Sequence, residues 1–253
     1  MVEIKDFGSF KMALDPSDKG ISGILKKNGK REQAFMKVMT ETVKEGNVCL
    51  DLGANIGYAT LTMASRVKES GKVFAIEPDP RNLKLLKQNL EINGLYDRSE
   101  LFEMAVSDKD GEISFWQSIT PNTSSVQKTP KSNKKITVPC VTLGTFFKDK
   151  PYPNFIKMDV EGHEVQILRG ALSYFKENQG KTNILLEVHP TFYDDGENNF
   201  AAVLKDYFDI GFRSKYVIST PVAQPKLFAE KGYSPKESIL TDGFVRGIYD
   251  NVS

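Results

Sequence analysis

Val48-Cys49-Leu50-Asp51-Leu52-Gly53-Ala54-Asn55-Ile56-Gly57 reads as a short buried strand running into a glycine-bounded turn. Residues 57–68 then carry Leu61, Ala64 and Val67 at helical spacing up to Gly71, and Val73–Ile76 is a second apolar run ending in Glu77-Pro78. Strand, tight turn, helix and strand in that order make a βαβ unit, whose strands are parallel because the helix carries the chain back across the sheet. The carboxylate after the second strand then stands at the same sheet edge as the glycine turn.

The alternation continues along the chain. Asp79-Pro80 opens a helix, Asp as cap and Pro at the first helical position, with Leu83, Leu86 and Leu90 on one face and Gly94 at its end. Residues 101–106 read as a third strand, 112–116 as a hairpin strand, Phe155–Met158 as a fourth core strand and Ile184–Val188 as a fifth. Helices are expected at 33–45, near Leu143–Phe147, from Val165 and around Val203–Phe208, and closing strands at 212–218 and 244–249. Strands alternating with helices argue for an α/β, doubly wound, mainly parallel sheet. Residues 1–32 read as an N-terminal cap or hairpin, and 33–253 as one domain.

The chain has 253 residues and a formal charge of +1, so no global field draws it to nucleic acid or membrane. No apolar run approaches the roughly 18 to 20 residues that span a bilayer. Residues 1–6 lack the apolar stretch of a secretory signal. Cys49 and Cys140 form no C-x-x-C pair and read as reduced thiols in a cytoplasmic protein.

Open α/β sheets bind ligands at the carboxyl ends of their strands, where strand order reverses. Glycine there lets the ligand approach the backbone, the next helix offers unpaired N–H groups, and a carboxylate after the second strand can take ribose hydroxyls. Gly53 to Gly57 is G-x-x-x-G. The dinucleotide pattern needs a glycine where this chain has Asn55, whose side chain would crowd a pyrophosphate. A nucleoside ligand without one, S-adenosyl-L-methionine, suits the turn better, with Glu77, 24 residues after Gly53, for its ribose.

The sequence resembles the FkbM family of S-adenosylmethionine-dependent methyltransferases. The matching segments are DLGANIG (51–57), AIEPDP (75–80), LEIN (90–93), AVSD (105–108), VPCVTL (138–143), IKMDVEGHE (156–164) with LRGA (168–171), and LEVH (186–189). They stand in family order over about residues 30 to 190, and IKMDVEGHE with LRGA is the most distinctive. The resemblance implies the class I methyltransferase fold, Rossmann-like, with a seven-stranded sheet of which one strand is antiparallel. It also implies an O-methyltransferase for hydroxyls of sugars or natural products. Carried over, Gly53, Asn55 and Gly57 would line the methionine end, Glu77 the ribose, and Ala105 and Val106 the adenine; Asp51 and Pro78 complete the expected cofactor set. Glu32 is a looser match to an acidic residue before the first strand. Residues 117–135 and the C-terminal 60 residues depart from the pattern.

Methyl transfer to an alcohol needs a base or a metal to help the nucleophile. The two histidines, His163 and His189, both follow core strands on the ligand side. His189 is the first choice for general base, with Glu187 two residues earlier pointing the same way and orienting it. Asp159 would face the transferring methyl, Glu161 the acceptor, and Glu164 would complement the new helix. Asp159, Glu161, Glu187 and the histidines also make a candidate Mg²⁺ site, although their spacing follows no ligand rule. Lys128, Lys131, Lys134 and Lys135 in the polar stretch 117–135 suggest a lid favouring an anionic acceptor, and Trp116, Phe192 and Tyr193 are candidates to stack on a sugar.

Balanced charge argues against an RNA methyltransferase. Retention of Asp159, Glu187 and His189 argues against a non-catalytic S-adenosylmethionine-binding protein. The expected partner is a small-molecule or glycan acceptor with a free hydroxyl.

Overall fold

The computed structural model describes residues 2–178, 182–219 and 238–241. The chain opens with an antiparallel hairpin, β1 (Glu3–Asp6) and β2 (Lys11–Leu14), followed by helices α1 (Ile21–Asn28) and α2 (Gln33–Thr42). The βαβ unit read from the sequence follows as β3 (Val48–Leu52), α3 (Tyr58–Val67) and β4 (Lys72–Ile76). Next come α4 (Pro80–Ile92), β5 (Ser99–Phe102), β6 (Ala105–Val106), β7 (Gly111–Ser118) and β8 (Ser132–Val141). The remaining elements are α5 (Leu143–Phe146), β9 (Phe155–Met158), α6 (Glu164–Asn178), β10 (Asn183–Leu186), α7 (Phe200–Asp209), β11 (Tyr216–Ser219) and β12 (Ser238–Thr241).

The central sheet has five strands in the order β10-β9-β3-β4-β5, and every neighbouring pair is parallel. Strand order reverses at β3, which has β4 on one side and β9 on the other, so the glycine turn after β3 opens at the switch point. Two layers of side chains cover the sheet, set by the period of two along each strand. Cys49, Val73, Ala75 and Phe155 face α3 and α4. Leu50, Phe74, Ile76, Ile156 and Met158 face α5, α6 and α7. Met12, Leu14, Ile21 and Leu25 of the N-terminal segment enter the first of these layers. Asn89 of α4 fixes that segment: its side chain accepts from Ala13 N–H at 2.6 Å and donates to the Ile56 carbonyl at 2.7 Å.

Several expectations need adjustment. The central sheet has five strands among the described residues, not seven. The strand expected at 212–218 is β11, and it pairs antiparallel with β12 in a ladder of its own; 244–249 lies outside the described residues. The run 101–106 splits, because β5 belongs to the central sheet and β6 pairs with β8 in a second, three-stranded sheet ordered β6-β8-β7. That sheet also shortens the expected polar loop. Ser132 to Val141 is one strand paired with β7, so Lys134 and Lys135 lie on β8. The low-propensity Ser and Lys residues form a strand because their backbone groups are the partners β7 requires.

Start and stop signals held where the chemistry is local. Asp79 caps α4, its side chain accepting from Arg81 N–H, with Pro80 at the first position. Gly170 of LRGA answers to tertiary contact instead. A Cβ there would lie 2.5 Å from the Cα of Asp108 and 2.6 Å from the carbonyl oxygen of Ser107. Its bareness lets α6 lie directly on the segment after β6. Gly170→Ala should therefore cost roughly 1–3 kcal/mol, the clash outweighing the helix propensity of alanine. Gly144→Ala, with no atom nearer than 3.8 Å, should stay within about 0.5 kcal/mol of wild type. Urea denaturation of both variants checks this.

Candidate active site

The site lies along the carboxyl ends of β3, β4 and β9. Gly53 has φ +72°, and a Cβ there would sit 1.9 Å from the Asp159 carbonyl oxygen, so the chain after β3 passes the end of β9 only as glycine. Asn55 is also left-handed, at φ +52°, a conformation its short polar side chain tolerates by accepting from Ile56 N–H at 2.8 Å. The Asn55 N–H donates to Glu77 Oε2 at 2.7 Å, and the Asp79 N–H to Glu77 Oε1 at 2.8 Å. Each Glu77 oxygen thus has one backbone partner and keeps lone-pair capacity toward the cleft it lines. Burial pushes the Glu77 carboxyl up to about 7 despite those donors.

A cleft of about 600 Å³ runs past Gly53, Asn55, Glu77 and Pro78 to Ala105, Val106 and His163. A second hollow of about 460 Å³, lined by Arg31, Glu32, Tyr58 and Lys157 among others, shares Gly53, Asn55 and Asp159 with it. Glu32 and Arg31 form an ion pair there, at the left-handed N-cap of α2.

His189 stands at the other end of Asp159. Its Nδ1 is 2.8 Å from Glu164 Oε1, and its Nε2 lies 3.6 Å from Glu161, 3.8 Å from Asp159 and 3.9 Å from Glu187. Glu164 is fully buried and also accepts from Gly162 N–H at 3.1 Å and from the Tyr193 hydroxyl at 2.9 Å. Tyr193 in turn accepts from the His189 N–H at 3.0 Å, which closes a ring of contacts around the imidazole. Burial opposes the charged ring, but the Glu164 hydrogen bond and the neighbouring carboxylates outweigh it and raise His189 to about 9. Burial and the charge of Asp159 raise Glu187 to about 8 and Glu161 to about 6.

This geometry revises four sequence assignments. Glu164, expected to complement the helix start, is the closest partner of His189, closer than Glu187; 25 residues separate the two in sequence, and only the folded chain brings them together. His163 does not join this cluster. It is buried, its Nε2 is 3.0 Å from Ser107 Oγ, and burial lowers it to about 4. Asp51 is fully buried and does not line the cleft; it accepts from Thr60 at 2.6 Å and pairs with Lys157 at 3.1 Å. Phe192 and Tyr193 are engaged in packing. A Cβ on Gly162 would meet the Phe192 ring at 2.5 Å, and Tyr193 stacks on Phe200 at 5.0 Å between centroids. The Trp116 ring has Lys128 and Lys135 over it, at 5.0 and 5.7 Å.

Residues 51–214, more than half of the chain, match the family model for the FkbM methyltransferase domain. The chain belongs to the FkbM methyltransferase family. It is 29% identical over 169 residues to the hexuronic acid methyltransferase AglP of Haloferax volcanii, covering 62% of each chain. It is 36% identical over 72 residues to the 2-O-methyltransferase NoeI of Sinorhizobium fredii, covering 28% of each. It is also 35% identical over 74 residues to a tRNA(Phe) (4-demethylwyosine(37)-C(7)) aminocarboxypropyltransferase of Pyrococcus horikoshii, covering 29% of this chain and 26% of that one. The chain thus spans under two thirds of the length of each of these relatives. No described helix is long and apolar enough to cross a membrane.

Among the residues of this FkbM chain that the sequence did not single out, Lys157 and Arg31 carry the local charge balance. Lys157 is a charged residue inside the buried strand FIKM, a visible anomaly in the sequence. Arg31 had no such signal, since its importance comes from a fold that brings α2 to the strand ends. Asp159, Glu187 and His189 also place potential ligand atoms within 4.8 Å of one another, two carboxylates and an imidazole that would suit a divalent ion. Glu164→Gln removes the charge nearest His189 and should move its titration midpoint down from about 9 toward the ordinary 6.5. An NMR pH titration of the imidazole checks this, and an unmoved midpoint assigns the shift to Asp159 and Glu161 instead.

Proposed function

We propose that this chain is an S-adenosylmethionine-dependent O-methyltransferase acting on a hydroxyl of a sugar or glycan, with His189 as general base. The observation that carries the reading is the imidazole fixed by Glu164, its Nε2 turned toward Asp159, whose backbone abuts Gly53 at the head of the cleft. The family and the names of the two sugar-directed or O-directed relatives support the acceptor class, and an anionic sugar is the first to test because of the hexuronic acid enzyme.

In this reading the cofactor supplies, when bound, a sulfonium methyl as electrophile and leaves as a neutral thioether. Glu77 accepts the ribose hydroxyls, while Gly53 and Asn55 pass the methionine end. The carboxylates of Asp159 and Glu161 offer a negative surface to a cationic centre, while Glu187, raised to about 8, is mostly protonated at neutral pH and can donate to an acceptor oxygen. His189 donates Nδ1–H to Glu164, which leaves Nε2 to take the acceptor proton as the oxygen attacks. An imidazole raised to about 9 is mostly protonated at neutral pH, so the base form grows as pH rises.

kcat/KM for the cofactor should therefore rise with pH and level off above about 9, and kcat should turn over at lower pH, because a bound sulfonium repels the imidazolium. His189→Ala should remove that limb and cut turnover by roughly 10²–10⁴ while leaving S-adenosylhomocysteine affinity unchanged. Turnover should survive EDTA. Loss of activity in EDTA with rescue by Mg²⁺ or Mn²⁺ would favour the second reading, in which Asp159, Glu187 and His189 hold a divalent ion that acidifies the acceptor hydroxyl. Glu77→Ala should do the reverse of His189→Ala, raising the dissociation constant of S-adenosylhomocysteine by about tenfold or more. Calorimetric titration and initial-rate assays with uronates and neutral sugars read these outcomes.

A further inference from the structure

His163 is released from the acid–base cluster, yet its position is not that of an inert core residue. It is 6% exposed and lines the end of the main cleft together with Ala105, Val106, Phe115, Val126 and Ile167, which are otherwise apolar. Its Nε2 is 3.0 Å from Ser107 Oγ, and Ser107 Oγ donates to Asp108 Oδ1 at 3.1 Å. A serine hydroxyl has one proton. With that proton given to Asp108, which can only accept, the hydroxyl oxygen takes its second hydrogen bond from His163. Nε2 therefore carries the ring proton. Burial keeps the ring neutral, so Nδ1 is a bare acceptor, and among the described residues it has no partner. The close seating of α6 on residues 107 and 108, which Gly170 permits, holds the three groups in line.

A buried acceptor without a donor, on a residue that lines an apolar slot, asks for a donor from whatever fills the slot. We propose that His163 reads the purine of the cofactor: its Nδ1 accepts a hydrogen bond from the 6-amino group of adenine and discriminates against a 6-oxo purine, which presents an acceptor at the same place. This rests on the adenosyl-cofactor reading above. It makes His163 a specificity residue for the cofactor, with Ser107 and Asp108 as positioning residues that fix the tautomer.

The test compares S-adenosylhomocysteine with S-inosylhomocysteine, which differ in the 6-substituent and in the proton that the 6-oxo form carries on N1, by calorimetry on the full chain; the His163 variant separates the two changes. Wild type should bind the adenosyl compound roughly tenfold or more tightly than the inosyl one. His163→Phe should lose most of that preference. Ser107→Ala, which frees the ring to move its proton to Nδ1, should narrow the gap mainly by improving inosyl binding. Long-range ¹⁵N NMR supplies a readout independent of affinity, since the chain has only two histidines and a His189 variant assigns them. Nδ1 of His163 should appear unprotonated in the ligand-free chain and shift when S-adenosylhomocysteine is added. Equal binding of the two compounds by wild type, a preference retained in His163→Phe, or a protonated Nδ1 would overturn the proposal and leave the cofactor reading standing. Should His163→Phe fail to fold, the wild-type spectrum and Ser107→Ala decide. Binding of neither compound to wild type would instead overturn the cofactor reading, and this inference with it.

Discussion

A single buried ammonium holds the switch point together. Lys157 stands in β9 with 5% of its surface exposed, and its Nζ donates to the carbonyls of Gly53 at 2.7 Å and Leu52 at 3.3 Å while pairing with Asp51 at 3.1 Å. The Leu52 carbonyl also accepts from the Asp159 N–H at 3.2 Å, while the Gly53 carbonyl, where the chain leaves the ladder, has the ammonium as its donor. Burial works against the charge on Lys157, but Asp51 and Asp159 outweigh it and raise its pKa. The Gly53 turn, the close pass of Asp159 and the shared wall of the two hollows all depend on this contact. Removing the lysine alone would strand Asp51 in the core, the costly way of breaking a buried pair.

From that anchor the site divides into two electrostatic halves. Around His189 carboxylates crowd an imidazole and favour its cation; around His163 burial among apolar walls favours the neutral ring. Identical side chains are thus driven in opposite directions, to about 9 and about 4, by surroundings that differ in charge and in access to water. In the proposed function one half moves a proton, and in the further inference the other receives a neutral heterocycle. Asp159, Gly53 and Asn55 lie on the seam between them.

Much of the fold was legible because its signals are local. The glycine turn, the Asp79-Pro80 cap and the apolar runs at 48–52, 73–76 and 155–158 each state their conformation within a few residues. The hairpin of β7 and β8 was half legible: residues 112–116 have strand character, while the Ser- and Lys-rich partner is a strand only because β7 needs one. In the site, Glu77, Asp159, Glu187 and His189 were legible from their places after core strands, since strand ends in an open α/β sheet share an edge. Glu164 was read as a helix-start charge, and the side of the ring it faces depends on how α6 meets the turn after β10.

The sequence by itself determined the parallel α/β order, the position of the glycine turn after β3 and the family, because these follow from hydrophobic period, glycine placement and motif order. Only the tertiary structure decided which histidine joins the carboxylates, which carboxylate holds it, and that Asp51 serves Lys157 rather than the cleft. The physical reason is range. Backbone preferences act over three or four residues, whereas charge and burial at a side chain are set by whatever the fold brings beside it, here His189 to Glu164 and Asp159, and His163 to Ser107.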